Sequence, residues 1–496
     1  MIFKAQNNPE NKKYLLLLYG AIIGIAFDIL FYNKTLGISY IIFIVMILLT
    51  LVLFFLGDLK KLNNYAWFFT IPILLLSSAF FIFSNQVLKI INYLIIPLLI
   101  IMLVTLAAKV NKSDWSDIRF AGDIVKRIFV PFRFIHRPFT ELSNKTGDDD
   151  KNYRSRTLPK VIIGLLISIP ILAIILWLLS SADIVFKNLF INMPAMKILK
   201  HSLIIIFVSV YAICFFWTLL KAFNERKEIV SNKKQWRLFL DPVVLLTILI
   251  LINVVYTIFS VIQFTYLFGG DSFILPSDFT YAEYARRGFV ELIVVTIINF
   301  GILIFGITFV KKESNRTFTV IKSFLTLLVI FTFILLISAF YRMLVYEQAY
   351  GFTYLRIFVQ TFMIMMFFLF IINIIYIWYA KLPIIKSYFI ISLSIYIIMN
   401  FANVDTIIAK NNINRYYETG EIDIVYLNGL SYDAIPDMQS FYTSIKNSTD
   451  PEEKQMAEDI LKNFEEKKEE LINQKSWQSY NISKYEAEKI IDQELQ

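Results

Sequence analysis

Three charged residues stand close together in an otherwise apolar part of the chain, within SAFYRMLVYEQAYGFTYLRIF, residues 338–358. Arg342, Glu347 and Arg356 are interspersed there with four tyrosines. An arginine can bind a carboxylate or a phosphate through two parallel hydrogen bonds. The stretch therefore predicts a site for an anionic ligand, or an Arg and Glu pair that neutralises itself in a turn between two membrane segments.

Other polar residues lie at the ends of apolar segments that would face the same side of a membrane. Ionisable groups near hydrocarbon depth are costly to insert and require partners or water, so each is a functional candidate. If these ends converge, they form one outward-facing polar basin; alternatively, the charges pair and the tyrosines form an interfacial belt. The candidate ligand-binding residues are Asp28, Asp183, Gln263, Glu283, Arg286, Arg287, Arg342, Tyr346, Glu347, Tyr350 and Arg356.

The residue types leave little room for metal or cofactor chemistry. Cys214 is the only cysteine, so no intrachain disulfide or cysteine metal cluster can form. His136 and His201 are far apart and lack the HExxH or paired spacing of a zinc or iron site. The chain has no P-loop, dinucleotide fingerprint or GxSxG elbow. We predict no metal site, with only an all-carboxylate site left open, and no cofactor.

The composition indicates an integral membrane protein. Hydrophobic residues make up 57% of the chain and charged residues 18%, and the mean hydropathy is +0.62, well away from soluble domains. A helix crosses the hydrocarbon core with about 20 apolar residues, and eleven segments satisfy this length. We predict an all-α, polytopic fold. The predicted spans are Tyr14 to Tyr32, Ile38 to Leu56, Tyr65 to Phe83, Leu88 to Ala108, Val161 to Leu179, Ser202 to Leu220, Val243 to Phe268, Gly288 to Val310, Ile321 to Tyr341, Ile357 to Ala380 and Ser387 to Val404.

The distribution of lysine and arginine predicts the orientation of these spans. Basic residues are retained on the cytoplasmic side during insertion. With the N-terminus inside, the inner segments carry roughly three times as many of them as the outer loops. The first segment is too long for a signal peptide and has no small-residue cleavage site, so it is predicted to be a retained span. An odd number of spans then places the C-terminus outside.

Four regions follow from this pattern: residues 1–108 with four spans, a basic cytoplasmic loop at 109–160, seven further spans at 161–404, and a tail at 405–496. The loop contains DIVKRIFVPFRFIHRPF, in which aromatic and aliphatic residues alternate with cations. Such a segment suits the interface of an anionic inner leaflet. Nucleic-acid binding would use the same residues, but we favour lipid and predict no nucleic-acid partner.

The tail is acidic and predicted to be helical. It has 19 acidic and 10 basic residues. Asp450 and Pro451 mark the start of one amphipathic helix, and Ser483 with Glu486 has the spacing of a capping box. Residues 405–417 and 422–434 can form an earlier helical pair. We predict a small helical domain outside the membrane that could bind an envelope protein, although its acidic face also suits simple solvation.

Several ordered motifs resemble a known family. They are YTIFSVIQFTYLFGG, YAEYARRGF, YRMLVYEQAYGFTYLR, NVDTIIAKNNINRY, IDIVYLNGLSYDAIP and WQSYNISKYEA. Together they resemble the bacterial multi-pass membrane proteins of domain-of-unknown-function family 4173, from about residue 180 to the C-terminus. The resemblance implies a bacterial cytoplasmic membrane location. It implies no reaction, substrate or catalytic residue.

Three functions are compatible with these features. The first is a non-enzymatic envelope protein that binds, assembles or signals through an outward polar basin and the tail. The second is a secondary transporter of a small, possibly anionic solute, although no repeat of two halves is visible. The third is an outer-leaflet lipid-linked glycosyl or phosphoryl transferase, in which Asp28, Asp183 or Glu283 would act as a base or metal ligand.

Overall fold

A computed structural model describes residues 9–56, 62–135, 194–225, 240–268, 289–311 and 315–495, with a few further residues at 58, 138 and between 164 and 183. The described part is helical and contains no named strand, only an isolated backbone bridge between Leu240 and Val310. The α-helices are α1 Pro9–Phe31, α2 Ile38–Phe55, α3 Thr70–Ile82, α4 Gln86–Ala107, α5 Arg119–Arg133, α6 Pro194–Asn224, α7 Pro242–Phe268, α8 Phe289–Phe309, α9 Asn315–Tyr350, α10 Tyr354–Trp378, α11 Ile384–Phe401, α12 Val404–Thr419, α13 Ile424–Asn428, α14 Ile435–Ile445, α15 Pro451–Asn473 and α16 Ile482–Glu494.

Long apolar helices confirm the polytopic all-α fold. Among the described residues, nine helices are long and apolar enough to cross a membrane, and α1 has a shorter apolar part, Leu15–Phe31. A 3₁₀ turn, Asn64–Phe69, precedes α3 and completes the third of the predicted spans. The fifth predicted span, residues 161–179, lies almost entirely outside the described residues.

The chain folds into two compact units. The first contains residues 1–114, 118–230 and 467–492, and the second contains residues 115–117, 231–466 and 493–496. The acidic tail is therefore helical but does not form a compact unit of its own, because the division falls inside α15.

Close packing of α1 on α6 dominates the first unit. Gly20 and Gly24 on α1 are one helical turn apart and face α6, where a Cβ added to Gly24 would lie 2.0 Å from Ser209 Oγ and 2.6 Å from the Ile205 carbonyl oxygen. Small residues four apart allow two membrane helices to approach at backbone distance. Glycine at these positions is therefore required by the helix pair.

The basic loop forms the amphipathic helix α5. Val125, Phe129 and Phe132 are exposed along one face of α5, at the spacing of one helical stripe. α5 also packs on α6, where the Tyr211 hydroxyl donates to the Ile128 carbonyl at 3.4 Å and the Tyr211 ring lies 5.2 Å from that of the half-exposed Phe132. The predicted interfacial helix is thus present, and its lipid binding stays a prediction.

Polar contacts between helices organise the second unit. The Tyr256 hydroxyl of α7 donates to Asn299 Oδ1 of α8 at 2.7 Å, and Asn299 Nδ2 donates to Thr332 Oγ1 of α9 at 2.9 Å. Asn299 and Thr332 are fully buried. In lipid, where apolar side chains gain little by associating, such bonds and close packing hold helices together.

The tail confirms one predicted helix start and corrects two others. α15 begins at Pro451, and Asp450 accepts from the Glu452 amide at 2.9 Å. The capping box at Ser483 and Glu486 is wrong, because α16 begins at Ile482 and Asn481 caps it through the Lys484 amide at 3.0 Å. The helix predicted over 422–434 is instead the short α13 and a 3₁₀ turn, Tyr432–Ala434. Asp423 and Ser431 each cap a separate start within that stretch.

One hydrogen bond in the tail predicts an acid-sensitive contact. The Tyr416 hydroxyl donates to Glu453 Oε1 at 2.8 Å, and hydrogen bonds from Ser448 and then Tyr416 lower the pKa of Glu453. A pKa that is lower in the folded state stabilises the fold at pH values above the unfolded pKa of about 4.3. This stabilisation is lost as the pH falls through the folded-state pKa. Tyr416→Phe should lower the melting temperature at pH 7 and have a smaller effect at pH 3. An equal effect at both pH values would contradict this account.

Candidate functional site

The charged stretch from the sequence forms the end of a long helix. α9 continues nine residues past the predicted span end at Tyr341 and finishes at Tyr350. Residues 351–353 then connect it directly to α10. Arg342 and Glu347 therefore lie within α9, and Arg356 lies in the first turn of α10.

Two guanidinium groups satisfy the last carbonyl groups of α9. Arg356 Nη1 donates to the Tyr350 carbonyl at 3.0 Å and also to the Gly351 carbonyl. Arg415, on α12, donates from Nε to the Gln348 carbonyl at 3.0 Å and from Nη2 to the Ala349 carbonyl at 2.5 Å. A helix leaves its final carbonyls unpaired at its negative end, where cations are favoured. Both arginines therefore brace this turn.

Asn412, one turn before Arg415 on α12, clamps the same connection. Its Oδ1 accepts from the Phe352 amide at 2.8 Å, and its Nδ2 donates to the Phe352 carbonyl at 2.9 Å. Gly351 adopts φ +82°, and a Cβ added there would lie 2.2 Å from Asn412 Oδ1. The left-handed conformation and the close amide both require glycine at this position.

A buried aspartate extends the contact into the tail. Asp405 is fully buried and accepts from the Tyr354 hydroxyl at the start of α10. The same Oδ1 accepts from the Ser431 amide at 3.2 Å. The Tyr426 hydroxyl accepts from the Tyr354 amide at 3.0 Å. Residues 405–431 of the tail thus bind the α9–α10 connection through buried polar groups, and we call this set of contacts the junction.

Glu347, on α9 beside the junction, has one carboxyl oxygen without a hydrogen bond within the described part of the chain. Its side chain is fully buried, and Gln360 on α10 donates to Oε2. Glu347 Oε1 accepts no hydrogen bond from any described residue. The Arg356 guanidinium lies 4.3 Å from the centre of the Tyr346 ring, and the Tyr346 and Tyr350 rings are 5.0 Å apart. A buried carboxyl oxygen without a donor is unusual and marks a candidate for ligand or proton binding.

Gln263 and Arg342 form a second polar contact in the same unit. Gln263 Oε1 on α7 accepts from Ser338 Oγ at 2.6 Å and from Arg342 Nη2 at 3.4 Å. Gln263 and Ser338 are buried. The side-chain amide of Gln263 therefore links α7 to α9 and gives the Arg342 guanidinium a hydrogen-bond partner inside the protein.

Asp28 is paired with a histidine that the sequence had not connected to it. His201 Nδ1 lies 2.7 Å and 3.0 Å from the two carboxylate oxygens of Asp28, and the His201 and Tyr32 ring centres are 4.0 Å apart. Gly20, Gly24 and Asp28 recur every four residues on α1, Tyr32 follows directly after its end, and all four contact α6. The spacing could have shown that Asp28 shares the glycine face, but not that His201 lies opposite.

Removing the Asp28 carboxylate should weaken the α1 and α6 pair. The Asp28 side chain is 10% exposed and that of His201 is 42% exposed. We expect Asp28→Ala to cost about 1–2 kcal/mol, because it removes a hydrogen bond between a nearly buried carboxylate and a partly exposed imidazole. Melting of the purified protein measures this loss. In a double-mutant cycle, His201→Ala should cost little more once Asp28 is gone; strictly additive losses would show that the pair is not coupled.

Comparison with known proteins decides the family. The family described as "Domain of unknown function (DUF4153)" matches residues 70–441, which is most of the chain. The chain belongs to the DUF4153 family. The match does not confirm the resemblance to family 4173. No curated protein and no solved structure matches the chain.

The DUF4153 region contains the whole junction but neither Asp28 nor the end of the tail. Glu347, Arg356, Tyr346 and Tyr350 lie together, and Arg342 contacts Gln263, whereas Asp28 belongs to the other compact unit. Asp183 is exposed after a helical segment that ends near it, and Glu283, Arg286 and Arg287 lie outside the described residues. A single basin that unites all these residues stays a prediction. No cluster suited to a metal ion occurs in the described part of the chain.

Proposed function

We propose that this DUF4153 protein is a non-enzymatic component of the bacterial cell envelope that binds or assembles partner proteins. It would lie in the cytoplasmic membrane with its N-terminus inside and its tail outside. The arrangement of Arg356 and Arg415 carries the proposal. Both guanidiniums are directed at the carbonyls that end α9, so the charged motif acts as a brace between spans and tail.

The hydrogen-bond partners of Arg415, Asn412 and Asp405 support a structural role for the α9–α10 connection. A catalytic or anion-binding arginine must present its donors to the ligand, whereas Arg415 also donates to the Glu421 carbonyl at 2.9 Å and pairs with its carboxylate at 2.7 Å. Asn412 and Asp405 add buried bonds to the same connection. A tail fixed so firmly to the spans offers a rigid outward surface, which favours recognition of a protein partner without a large entropy cost.

The basic helix α5 supports attachment to anionic lipids of the inner leaflet. Val125, Phe129 and Phe132 are exposed apolar residues, and Lys126 and Arg133 are exposed beside them. Apolar residues would enter the acyl boundary while the cations remain near the headgroups. Binding there should fall with added salt, because the electrostatic part is screened.

Crosslinking and affinity purification of the intact protein test the proposal. From gently solubilised membranes, the wild-type protein should recover the same envelope proteins in repeated preparations. Asn412→Ala should reduce that recovery, because it frees the Phe352 amide and carbonyl and loosens the tail. Gly420→Ala is a tail variant that strains the backbone at φ +75° but places its Cβ near no other described residue, so it leaves the junction intact and should retain the partners. Repeated recovery of the wild-type protein alone would overturn the proposal.

Transport of a small anionic solute is the second candidate, and Glu347 is the observation that favours it. A fully buried carboxyl with an unpaired oxygen, on a helix long enough to span, could exchange a proton during transport. Solute flux into proteoliposomes that Glu347→Gln abolishes would favour this function. The transferase alternative gains no such observation, since Asp28, one candidate base, is engaged by His201.

A further inference from the structure

The turn between α15 and α16 is anchored to the ends of three spans. Asn481 Nδ2 donates to the Phe80 and Phe83 carbonyls at 2.9 Å and 2.8 Å, at the end of α3. The Ile38 amide, at the start of α2, donates to the Tyr480 carbonyl at 2.9 Å. These two span ends lie on the same side of a membrane because α2 and α3 are successive spans. The turn is therefore held at the membrane surface.

The third anchor and a tight contact fix the position of this turn. Gln478 Nε2 donates to the Ile29 carbonyl near the end of α1 at 3.3 Å. A Cβ added to Gly37 would lie 2.3 Å from the Tyr480 carbonyl oxygen. The chain between α1 and α2 thus passes directly beneath the turn, and no bulky side chain separates them.

A groove of about 440 Å³ opens beside this turn. Trp477, Tyr480 and Tyr485 line it and are 57%, 43% and 44% exposed. The Tyr480 ring lies 5.9 Å from Phe81 at the end of α3 and 5.9 Å from Tyr485. Exposed tryptophan and tyrosine beside span ends are typical of the headgroup layer, where one part of the ring contacts lipid and the polar atom contacts water.

Three charged residues line the groove, and the lysines Lys475 and Lys484 outnumber the single carboxylate of Glu488. Lys475 Nζ pairs with Glu488 Oε1 at 2.9 Å, and Lys484 Nζ donates to the neutral amide oxygen of Gln474 at 2.6 Å. Burial lowers the pKa of Lys484 although the charge of Glu470 opposes this. A desolvated ammonium gains from a further anion in addition to Glu470, because that anion restores part of the interactions that burial removes.

We propose that this groove binds the phosphate of an anionic phospholipid headgroup in the leaflet that the tail faces. Lys475 and Lys484 would contact the phosphate, and the aromatic residues would contact the glycerol and upper acyl region. The site deepens the proposed envelope function, on which its outward orientation rests. A lipid is favoured over a free phosphate because the groove lies beside the span ends and exposes apolar rings to the headgroup layer.

Lipid titration of the purified full chain in mild detergent tests the site. Native mass spectrometry should count bound phosphatidylglycerol in the wild type and in Lys475→Met/Lys484→Met. We expect about tenfold weaker binding of one lipid in the double variant, equivalent to about 1.4 kcal/mol. Lys462→Met is the matched control, because Lys462 is exposed on α15 and lies outside the groove lining. The control variant should bind phosphatidylglycerol as tightly as the wild type does.

Further variants and ligands in the same experiment distinguish a lipid site from a site for free phosphate and from misfolding. Lys475→Arg/Lys484→Arg should retain binding, and both double variants should melt close to the wild type. Phosphatidylcholine should bind more weakly than phosphatidylglycerol. Equal binding by the wild type and the Met double variant would overturn the site, and full competition by inorganic phosphate would overturn the lipid assignment. Because lipid binding is measured without partner proteins, failure here leaves the recovery of envelope proteins as a separate result.

Discussion

Gly24→Ala should separate α1 from α6 and destabilise the first unit by about 1–3 kcal/mol, the usual cost of overpacking. The added Cβ would lie 2.6 Å from the Ile205 carbonyl oxygen, and a backbone atom cannot rotate away as Ser209 Oγ can. Separation would also lengthen the contact between Asp28 and His201. Cys214 on α6 provides the readout, because it is buried and is the only cysteine. Its reaction with a thiol dye during heating should begin at a lower temperature.

Gly301→Ala is the matched control for this substitution. Gly301 lies inside α8, and no atom of another described residue lies within 4 Å of an added Cβ. Alanine stabilises an open helix position by about 0.5–1 kcal/mol relative to glycine. The two variants should therefore shift stability in opposite directions. If Gly24→Ala were as stable as Gly301→Ala, the close packing of α1 on α6 would be wrong.

Gly351→Ala should open the junction and cost about 2–4 kcal/mol. Alanine disfavours φ +82° by about 1–2 kcal/mol. The added Cβ would lie 2.2 Å from Asn412 Oδ1, so the Asn412 amide group must move. That movement would break both hydrogen bonds between Asn412 and Phe352. The fraction of protein that remains monodisperse after heating, measured by size exclusion, should fall at a lower temperature than for the wild type.

Gly420→Ala distinguishes backbone strain from displacement of Asn412. Gly420 follows the last residue of α12 with φ +75°, and within the described part of the chain nothing lies within 4 Å of an added Cβ. It should show only the conformational cost of about 1–2 kcal/mol. Equal destabilisation by both variants would mean that the Asn412 clamp contributes nothing measurable to the junction.

The sequence predicted the spans well because long apolar runs report burial in lipid directly. The prediction for the second span began at Ile38, as α2 does, and the predicted start of α15 was also confirmed. The extension of α9 to Tyr350 was missed because charged and tyrosine residues interrupt the apolar pattern after Tyr341. The helix continues there because partners distant in sequence satisfy its polar groups. Such partners have no local signal.

Only part of the site was predicted, because its partners are also distant in sequence. Arg342, Glu347 and Arg356 were selected as out of place, and Arg356 donates to the backbone carbonyl groups of Tyr350 and Gly351. Asn412 and Arg415 were missed as site residues because ordinary helical sequence surrounds them. Their spacing of three residues, with Ile408 a turn earlier in the buried face of α12, places both beside the α9–α10 connection. A search for amide and guanidinium groups on one helix face could have found them.

Hydrogen exchange of the junction tests the central claim, that buried polar bonds fix the tail to the spans. In the intact wild-type protein, amides of residues 404–419 and 348–354 should exchange slowly and with similar protection. Arg415→Ala should release both segments together, since it leaves the Gln348 and Ala349 carbonyls without their donor. Arg342→Ala, outside the junction, should leave them protected. Rapid exchange of residues 404–419 in the wild type, or release of only one segment by Arg415→Ala, would contradict the account.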